Sequence, residues 1–80
     1  MSRVVLYGKA GCHLCEEARA TVLAVRARHP FELHEVDVST DPGLHRSHGE
    51  RIPVLELDGE ELFEFHVDAG ELTRRLQSDG

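Results

Sequence analysis

The sequence is poor in cysteine and lysine, contains no tryptophan and has no long apolar run. Its two cysteines fall short of the dense pattern that stabilises small secreted domains. The apolar run at residues 4–7 is too short for a signal peptide or a membrane span. Nine basic residues against fifteen acidic ones give a net charge of −6, which disfavours nucleic-acid binding. We therefore expect a monomeric cytoplasmic protein that binds neither nucleic acid nor membranes.

The 80 residues predict one domain, residues 1–80. Its length is near the lower limit at which a hydrophobic core alone can stabilise a fold. Both cysteines, Cys12 and Cys15, lie in the stretch LYGKAGCHLCEEA. A disulfide between them would close so short a loop that it would add little stability. In a cytoplasmic protein such a pair is more often catalytic or metal-binding than structural.

The first half of the chain predicts two strands that flank a helix. Residues 3–7 form a continuous apolar run, as expected of a strand covered on both faces. From Leu14 to Val25 apolar residues recur at helical spacing, and Pro30 should end this helix. Residues 31–38 predict a second strand, whose acidic side chains suit a sheet edge.

The second half predicts a short helix, a hairpin and a last helix. The short helix should begin after Asp41, its N-cap, and end at Gly49. Asp58-Gly59 is a strong hairpin-turn signal between strands at 54–57 and 60–65. Asp68 begins a capping box for the last helix. The order β-α-β-α-β-β-α predicts an α/β fold with a mixed four-stranded sheet flanked by helices.

The position of the cysteines favours redox chemistry. Cys12 follows the first strand at the start of a helix, where free N–H groups and the helix dipole stabilise a thiolate. Lys9 adds positive charge nearby, although a plain solvated lysine is an equal alternative. Cys15 lies three residues later on the same helix face and should be partly covered. This arrangement suits an attacking sulfur at Cys12 and a resolving sulfur at Cys15.

A metal site is the alternative interpretation of the same cysteines. His45 and His48, or His13, could complete a set of ligands with Cys12 and Cys15. As an exposed neighbour of a thiolate, a protonated His13 could instead tune the redox potential. We favour redox chemistry because C-x-x-C after a strand in a β-α-β pattern is typical of it.

The motifs YGKAGCHLC before a helix, RIPVL later in the chain, and a closing hairpin and helix resemble glutaredoxins. More narrowly, the chain is similar over nearly its whole length to short, mostly uncharacterised glutaredoxin-like proteins of the thioredoxin-fold superfamily. The resemblance implies a thioredoxin-like fold and a thiol–disulfide oxidoreductase that reduces protein or mixed disulfides. It assigns Cys12 as the nucleophile and Cys15 as the resolving thiol. It also implies a cis Ile52–Pro53 bond facing the reactive cysteine, where the backbone pairs with the substrate.

The chain departs from glutathione-using members of that group at two places. Leu14 stands where they usually have an aromatic residue, and the stretch FEFHVDAGEL lacks their Gly-Gly turn. Asp68 alone matches their acidic pair, and its first role should be that of an N-cap. With these positions included, the expected substrate-binding residues are Lys9, His13, Leu14, Ile52, Pro53 and Asp68.

The resemblance implies no bound metal or organic cofactor. It implies an external thiol reductant, either glutathione or a thioredoxin-reductase system, and protein disulfides as substrates. Two alternatives come from other classes of function. One is a metal or iron–sulfur carrier that uses Cys12 and Cys15 as ligands. The other is a thioredoxin-like binding module without turnover.

Overall fold

The computed structural model describes residues 2–40, 43 and 51–78. Within these residues the chain forms four strands, two helices and one 3₁₀ turn. In chain order they are β1 Arg3–Gly8, α1 His13–Arg28, β2 Glu32–Asp37, the 3₁₀ turn Val38–Thr40, β3 Val54–Leu57, β4 Glu60–Glu64 and α2 Ala69–Ser78. The short helix predicted between Asp41 and Gly49 lies, apart from residue 43, outside the described residues.

The four strands form one mixed sheet in the order β2-β1-β3-β4. Strand β1 pairs in parallel with β2, as a strand–helix–strand unit requires, and antiparallel with β3. Strands β3 and β4 form the antiparallel hairpin. The predicted α/β class and mixed four-stranded sheet are confirmed, and β2 lies at a sheet edge.

Both helices contribute to the same core against the sheet. On α1, Ala18, Val22 and Val25 are buried at the spacing of one helix face. Leu72 of α2 is fully buried in the same cluster. The complete set of buried residues in this cluster is Val4, Leu6, Ala18, Val22, Val25, Phe31, Leu55, Leu57 and Leu72. Helix α1 ends at Arg28, as Pro30 predicts, and the N–H of His29 closes it on the Val25 carbonyl at 2.8 Å.

Local turn chemistry fixes the hairpin and the start of α2. Asp58 and Gly59 have φ values of +51° and +86°, which the two-residue turn between twisted strands requires. Asp58 also binds β1, since its Oδ1 accepts from the Arg3 N–H at 2.9 Å and its own N–H donates to the Arg3 carbonyl at 2.8 Å. The Oδ1 of Asp68 accepts from the Glu71 N–H at 3.0 Å, which confirms Asp68 as an N-cap.

The predicted boundaries differ from the observed ones by one residue at several ends. Strand β2 is shorter than residues 31–38 because Phe31 turns into the core and Val38 begins the 3₁₀ turn. Strand β4 ends at Glu64 because Phe65 has a φ of +67°, which a strand cannot continue. In the described part of the chain, no helix is both long and apolar enough to cross a bilayer.

Candidate functional site

Cys12 is the N-cap of α1. Its backbone is extended, with φ −95° and ψ 110°, and its Sγ accepts a hydrogen bond from the Cys15 N–H at 3.2 Å. An N-cap atom receives the otherwise unpaired N–H groups of the first turn, so negative charge on this sulfur is stabilised there. The cap position therefore favours the thiolate form of Cys12 when the pair is reduced.

The two cysteines are joined as a disulfide, with their Cα atoms 5.2 Å apart, inside the usual range for such pairs. Cys15 is buried at 9 % exposure, whereas Cys12 is half-buried. An attacking sulfur is expected to be the more exposed of the two, as Cys12 is, and a resolving sulfur the more buried, as Cys15 is.

A second buried cluster surrounds the disulfide. Cys15, Val38 and Ile52 form it, and Tyr7 and Cys12 pack against them. The fold thus brings Ile52 to the cysteines, although the two segments are far apart in sequence. The Ile52–Pro53 bond is cis, as the resemblance implies, and Pro53 is fully buried.

Gly8 is a site residue that the sequence reasoning missed. A Cβ added at Gly8 would lie 3.2 Å from both the Cβ and the Sγ of Cys15, which is tighter than ordinary van der Waals contact. The end of β1 therefore approaches the buried cysteine closely because this residue has no side chain. A glycine at the end of an apolar strand was the available sequence signal.

Arg51 is a second site residue that the sequence reasoning missed, and it has no sequence signal. Its guanidinium pairs with Glu61 and with Glu64, the latter at 3.3 Å, and so joins the segment before Pro53 to β4. The N–H of Phe65 adds a second connection, since it donates to the Pro53 carbonyl at 2.8 Å. These contacts hold the Ile52–Pro53 segment against the hairpin.

The other predicted site residues lie around this centre in different ways. Lys9 is exposed and lines a recess of about 250 Å³ behind Cys15 together with Asp37. Hydrogen bonds from the side chain and the backbone N–H of Ser39 lower the pKa of Asp37, so the recess contains a carboxylate at neutral pH.

His13, Leu14 and Asp68 are not equally close to the sulfurs. The His13 side chain is 83 % exposed and its Nε2 lies 3.3 Å from the Glu17 carboxylate, an i,i+4 contact along α1. Leu14 is half-buried and lines a recess beside α1 with Phe65. Asp68 caps α2.

The described residues contain no group of three or more His, Cys, Asp or Glu side chains arranged to hold a metal ion. His45 and His48, one of the two ligand sets considered for the metal alternative, lie outside the residues that the structure describes.

Tyr7 provides a spectroscopic test of the site. Its hydroxyl donates to Glu56 Oε1 at 3.2 Å, and burial, followed by the Glu56 charge, raises the pKa of Tyr7. Tyr7 is the one tyrosine of a chain without tryptophan, so its ionisation can be followed directly by ultraviolet absorbance. We expect the ionisation midpoint of Tyr7 to lie above the ordinary value for tyrosine, about 10. Glu56→Gln should lower it.

The raised pKa of Tyr7 also determines how the stability of the protein depends on pH. Because folding raises the pKa of Tyr7, the protonated tyrosine contributes its full stabilisation at pH values below the unfolded-state pKa. This contribution is lost as the pH rises through the folded-state pKa. Glu60→Gln, on the same hairpin, is the control and should leave the midpoint unchanged. A midpoint at the ordinary value, or one insensitive to Glu56→Gln, would contradict the Tyr7–Glu56 contact.

Comparisons with known proteins agree with this geometry. The model of the family described as "Glutaredoxin-like domain (DUF836)" matches residues 3–77. An uncharacterized protein of Mycobacterium tuberculosis is 33% identical over 86 residues, covering 99% of this chain and 84% of that protein.

Solved structures show the same fold. A protein from Nitrosomonas europaea, solved by NMR, superposes with a TM-score of 0.78 at 30% identity, covering 92% of this chain and 89% of the other. An X-ray structure of a protein from X. campestris gives 0.77 at 30% identity, covering 94% and 96%. A thioredoxin from Halobacterium salinarum gives 0.71 at 22% identity, covering 96% and 73%, and shows the fold alone. The chain belongs to the glutaredoxin-like domain family and has the thioredoxin fold.

Proposed function

We propose that the protein is a thiol–disulfide oxidoreductase that reduces disulfides in other proteins. One observation carries the proposal: Cys12 Sγ is the N-cap of α1, accepts the Cys15 N–H at 3.2 Å and is paired with Cys15. A sulfur in this position is stabilised as a thiolate, and its partner is already within bonding reach. No metal or organic cofactor is needed for this chemistry.

In the first step the Cys12 thiolate attacks one sulfur of the substrate disulfide. A bond forms between Cys12 and that sulfur, the substrate S–S bond breaks, and the other substrate sulfur leaves as a thiolate that takes a proton from water. The backbone at Ile52 and the buried Pro53 would support the extended substrate segment beside Cys12.

In the second step Cys15 loses its proton to water and attacks Cys12 Sγ. The mixed disulfide breaks, the substrate leaves as its second thiol, and the Cys12–Cys15 disulfide forms. Two electrons have moved from the protein to the substrate. An external dithiol or thiol must then reduce the pair, and we propose a cytoplasmic reductase system acting on a monomer.

The proposal is tested by the balance of thiols. Reduced protein is mixed, without oxygen, with an equal amount of an oxidised protein disulfide, and free thiols in each partner are counted by mass spectrometry after alkylation. One Cys12–Cys15 disulfide should appear for each substrate disulfide lost. Binding without thiol transfer would indicate a binding module, whereas stoichiometric zinc or iron with blocked thiols would indicate a metal carrier.

We expect weak recognition of glutathione. Leu14 offers no aromatic face, the turn before α2 carries the side chains of Phe65 and His66, and one carboxylate oxygen of Asp68 already accepts the Glu71 N–H. Binding should therefore be millimolar, or about 4 kcal/mol. The measurement is an NMR titration of Cys12→Ser with S-methylglutathione. Micromolar binding, or efficient turnover of a glutathionylated peptide at micromolar concentration, would contradict this expectation.

A further inference from the structure

The recess behind Cys15 has no part in the two reaction steps described above. Its volume is about 250 Å³, which is ample for several water molecules. Cys15 lines this recess and Cys12 does not, although the two residues form one disulfide. The two cysteines therefore border different surroundings, and charges in the recess are placed to act on Cys15.

Lys9 lies at the edge of this recess, beside Cys15. It follows Gly8 directly, and a Cβ added at Gly8 would lie 3.2 Å from the Cys15 Sγ, so the chain passes close to this cysteine. Lys9 is exposed, and within residues 2–40, 43 and 51–78 its side chain makes neither a hydrogen bond nor an ion pair. The Lys9 ammonium is therefore available to interact with a charge that forms at the recess.

The other charges around the recess do not balance without Lys9. Arg19 and Glu35 form an ion pair at 2.6 Å and offset each other. Glu16 also lines the recess, and Asp37 is ionised at neutral pH because its hydrogen bonds lower its pKa. Loss of the Lys9 charge would therefore leave the carboxylates of Glu16 and Asp37 without a cation to offset them.

The remaining sides of Cys15 offer it no charge at neutral pH, over the residues described. Val38 and Ile52 are buried apolar residues, and Tyr7 packs against the same cluster. Tyr7 is protonated at neutral pH, because burial, followed by a neighbouring carboxylate, raises its pKa. Arg51, next to Ile52, is paired with carboxylates of β4. A side-chain charge that stabilises a Cys15 thiolate must therefore come from the recess.

Cys15 must become a thiolate in the second step. Burial in apolar surroundings raises the pKa of a thiol, a nearby carboxylate raises it further, and a nearby cation lowers it. Cys12 has a separate source of stabilisation, because its sulfur already accepts the Cys15 N–H at the start of α1. A cation at Lys9 should therefore matter most for the second step.

We propose that Lys9 promotes the second step of disulfide exchange by stabilising the thiolate of Cys15. The thiol proton passes to water in the recess, and the thiolate attacks Cys12 Sγ. The mixed disulfide breaks, and the substrate leaves as a thiolate that takes a proton from water. Lys9 acts through Cys15 and exchanges no atoms itself, so it is a positioning residue. This inference rests on the proposed function and assigns a separate source of charge stabilisation to each of its two steps.

The two steps can be timed separately with dithiodipyridine, a small aromatic disulfide that carries no charge at neutral pH. Attack by Cys12 releases one thiopyridone, and attack by Cys15 on the mixed disulfide releases the second. With the reagent in excess, the first step is fast, and mass spectrometry after acid quenching counts the protein that still carries the adduct.

Lys9→Gln is expected to slow the second release about threefold near neutral pH and to leave the first release unchanged. The difference should shrink as the pH rises to about 9, because a thiol with a pKa near the ordinary value of about 8.5 then ionises without a neighbouring cation. A merely structural effect of the substitution would not depend on pH in this way.

Three further variants test the sign and the place of the effect. Lys9→Arg keeps the charge and should retain the wild-type rate of the second release. Asp37→Asn removes a carboxylate from the recess, while its amide oxygen can still accept the hydrogen bonds that Asp37 accepts, so the second release should become faster. Arg28→Gln removes an exposed cation at the far end of α1 and is the matched control, which should change neither release.

Several results would overturn the proposal. A slower first release in Lys9→Gln would place the effect of Lys9 at Cys12. An unchanged second release in Lys9→Gln, or an equal loss at every pH, would show that the lysine is solvated or structural. If the wild type releases one thiopyridone and retains the adduct, Cys15 does not resolve the mixed disulfide, and the proposed function itself fails.

Discussion

Cys12→Ser is expected to reduce disulfide-exchange activity to the background rate, whereas Cys15→Ser should accumulate a mixed disulfide with its substrate. Serine at position 12 lacks the nucleophilic sulfur, but its Oγ is a strong N-cap and should preserve the start of α1. Loss of activity in this variant would therefore not arise from loss of the helix. In Cys15→Ser the sulfur that releases the substrate is missing, so the reaction stops after its first step.

Mass spectrometry of each variant after reaction with an oxidised protein checks this division of roles. Cys15→Ser should carry one substrate adduct that dithiothreitol removes, and Cys12→Ser should carry none. The urea midpoint of reduced Cys12→Ser serves as the folding control. An adduct on Cys12→Ser, or faster alkylation of Cys15 than of Cys12 in the reduced wild type, would reverse the assignment.

Gly8→Ala is expected to destabilise the protein by about 1–3 kcal/mol. The added methyl would lie 3.2 Å from the Cβ and Sγ of Cys15. Rotation of the Cys15 side chain moves its sulfur but not its Cβ, so the first turn of α1 must shift away from β1. A protein of 80 residues has roughly 4–12 kcal/mol of stability, so this loss is a substantial fraction of it.

Urea denaturation of the reduced proteins measures this effect, and Gly70→Ala is the matched control. At Gly70, in the first turn of α2, an added Cβ would meet the Oδ1 of Asp68 at 3.4 Å, an ordinary contact. Alanine there should leave the midpoint unchanged or raise it, since glycine is a poor helix former. Equal midpoints for the two alanine variants would show that the contact between Gly8 and Cys15 is not tight.

Features that depend on near neighbours in sequence could be predicted. Asp58-Gly59 identified the hairpin turn, Asp68 identified the start of α2, and apolar spacing identified the buried face of α1. Each depends on the conformational preferences of a few adjacent residues. The placement of Cys12 at the start of a helix followed from the same local reasoning.

Features that depend on tertiary contacts could not be predicted. The pairing of Arg51 with β4 joins segments whose approach is known only once the sheet is formed. The strained turn at Phe65 contradicts local preference, since a strand-forming aromatic residue predicts continuation of β4. Tuning of the thiolate by His13 stays a prediction, and the contact of His13 with Glu17 along α1 was not foreseen.

The order of strands in the sheet has a consequence for synthesis of the chain. Strand β1 emerges from the ribosome before the other three strands, yet it lies inside the sheet between β2 and β3. Strand β3 follows only at Val54–Leu57. The core cluster also needs Leu72 of α2. A nascent chain without these segments leaves one edge of β1 unpaired and the apolar side chains Val4 and Leu6 uncovered. Folding must therefore wait until almost the whole domain has been translated, and both cysteines are exposed to oxidants and other thiols during that interval.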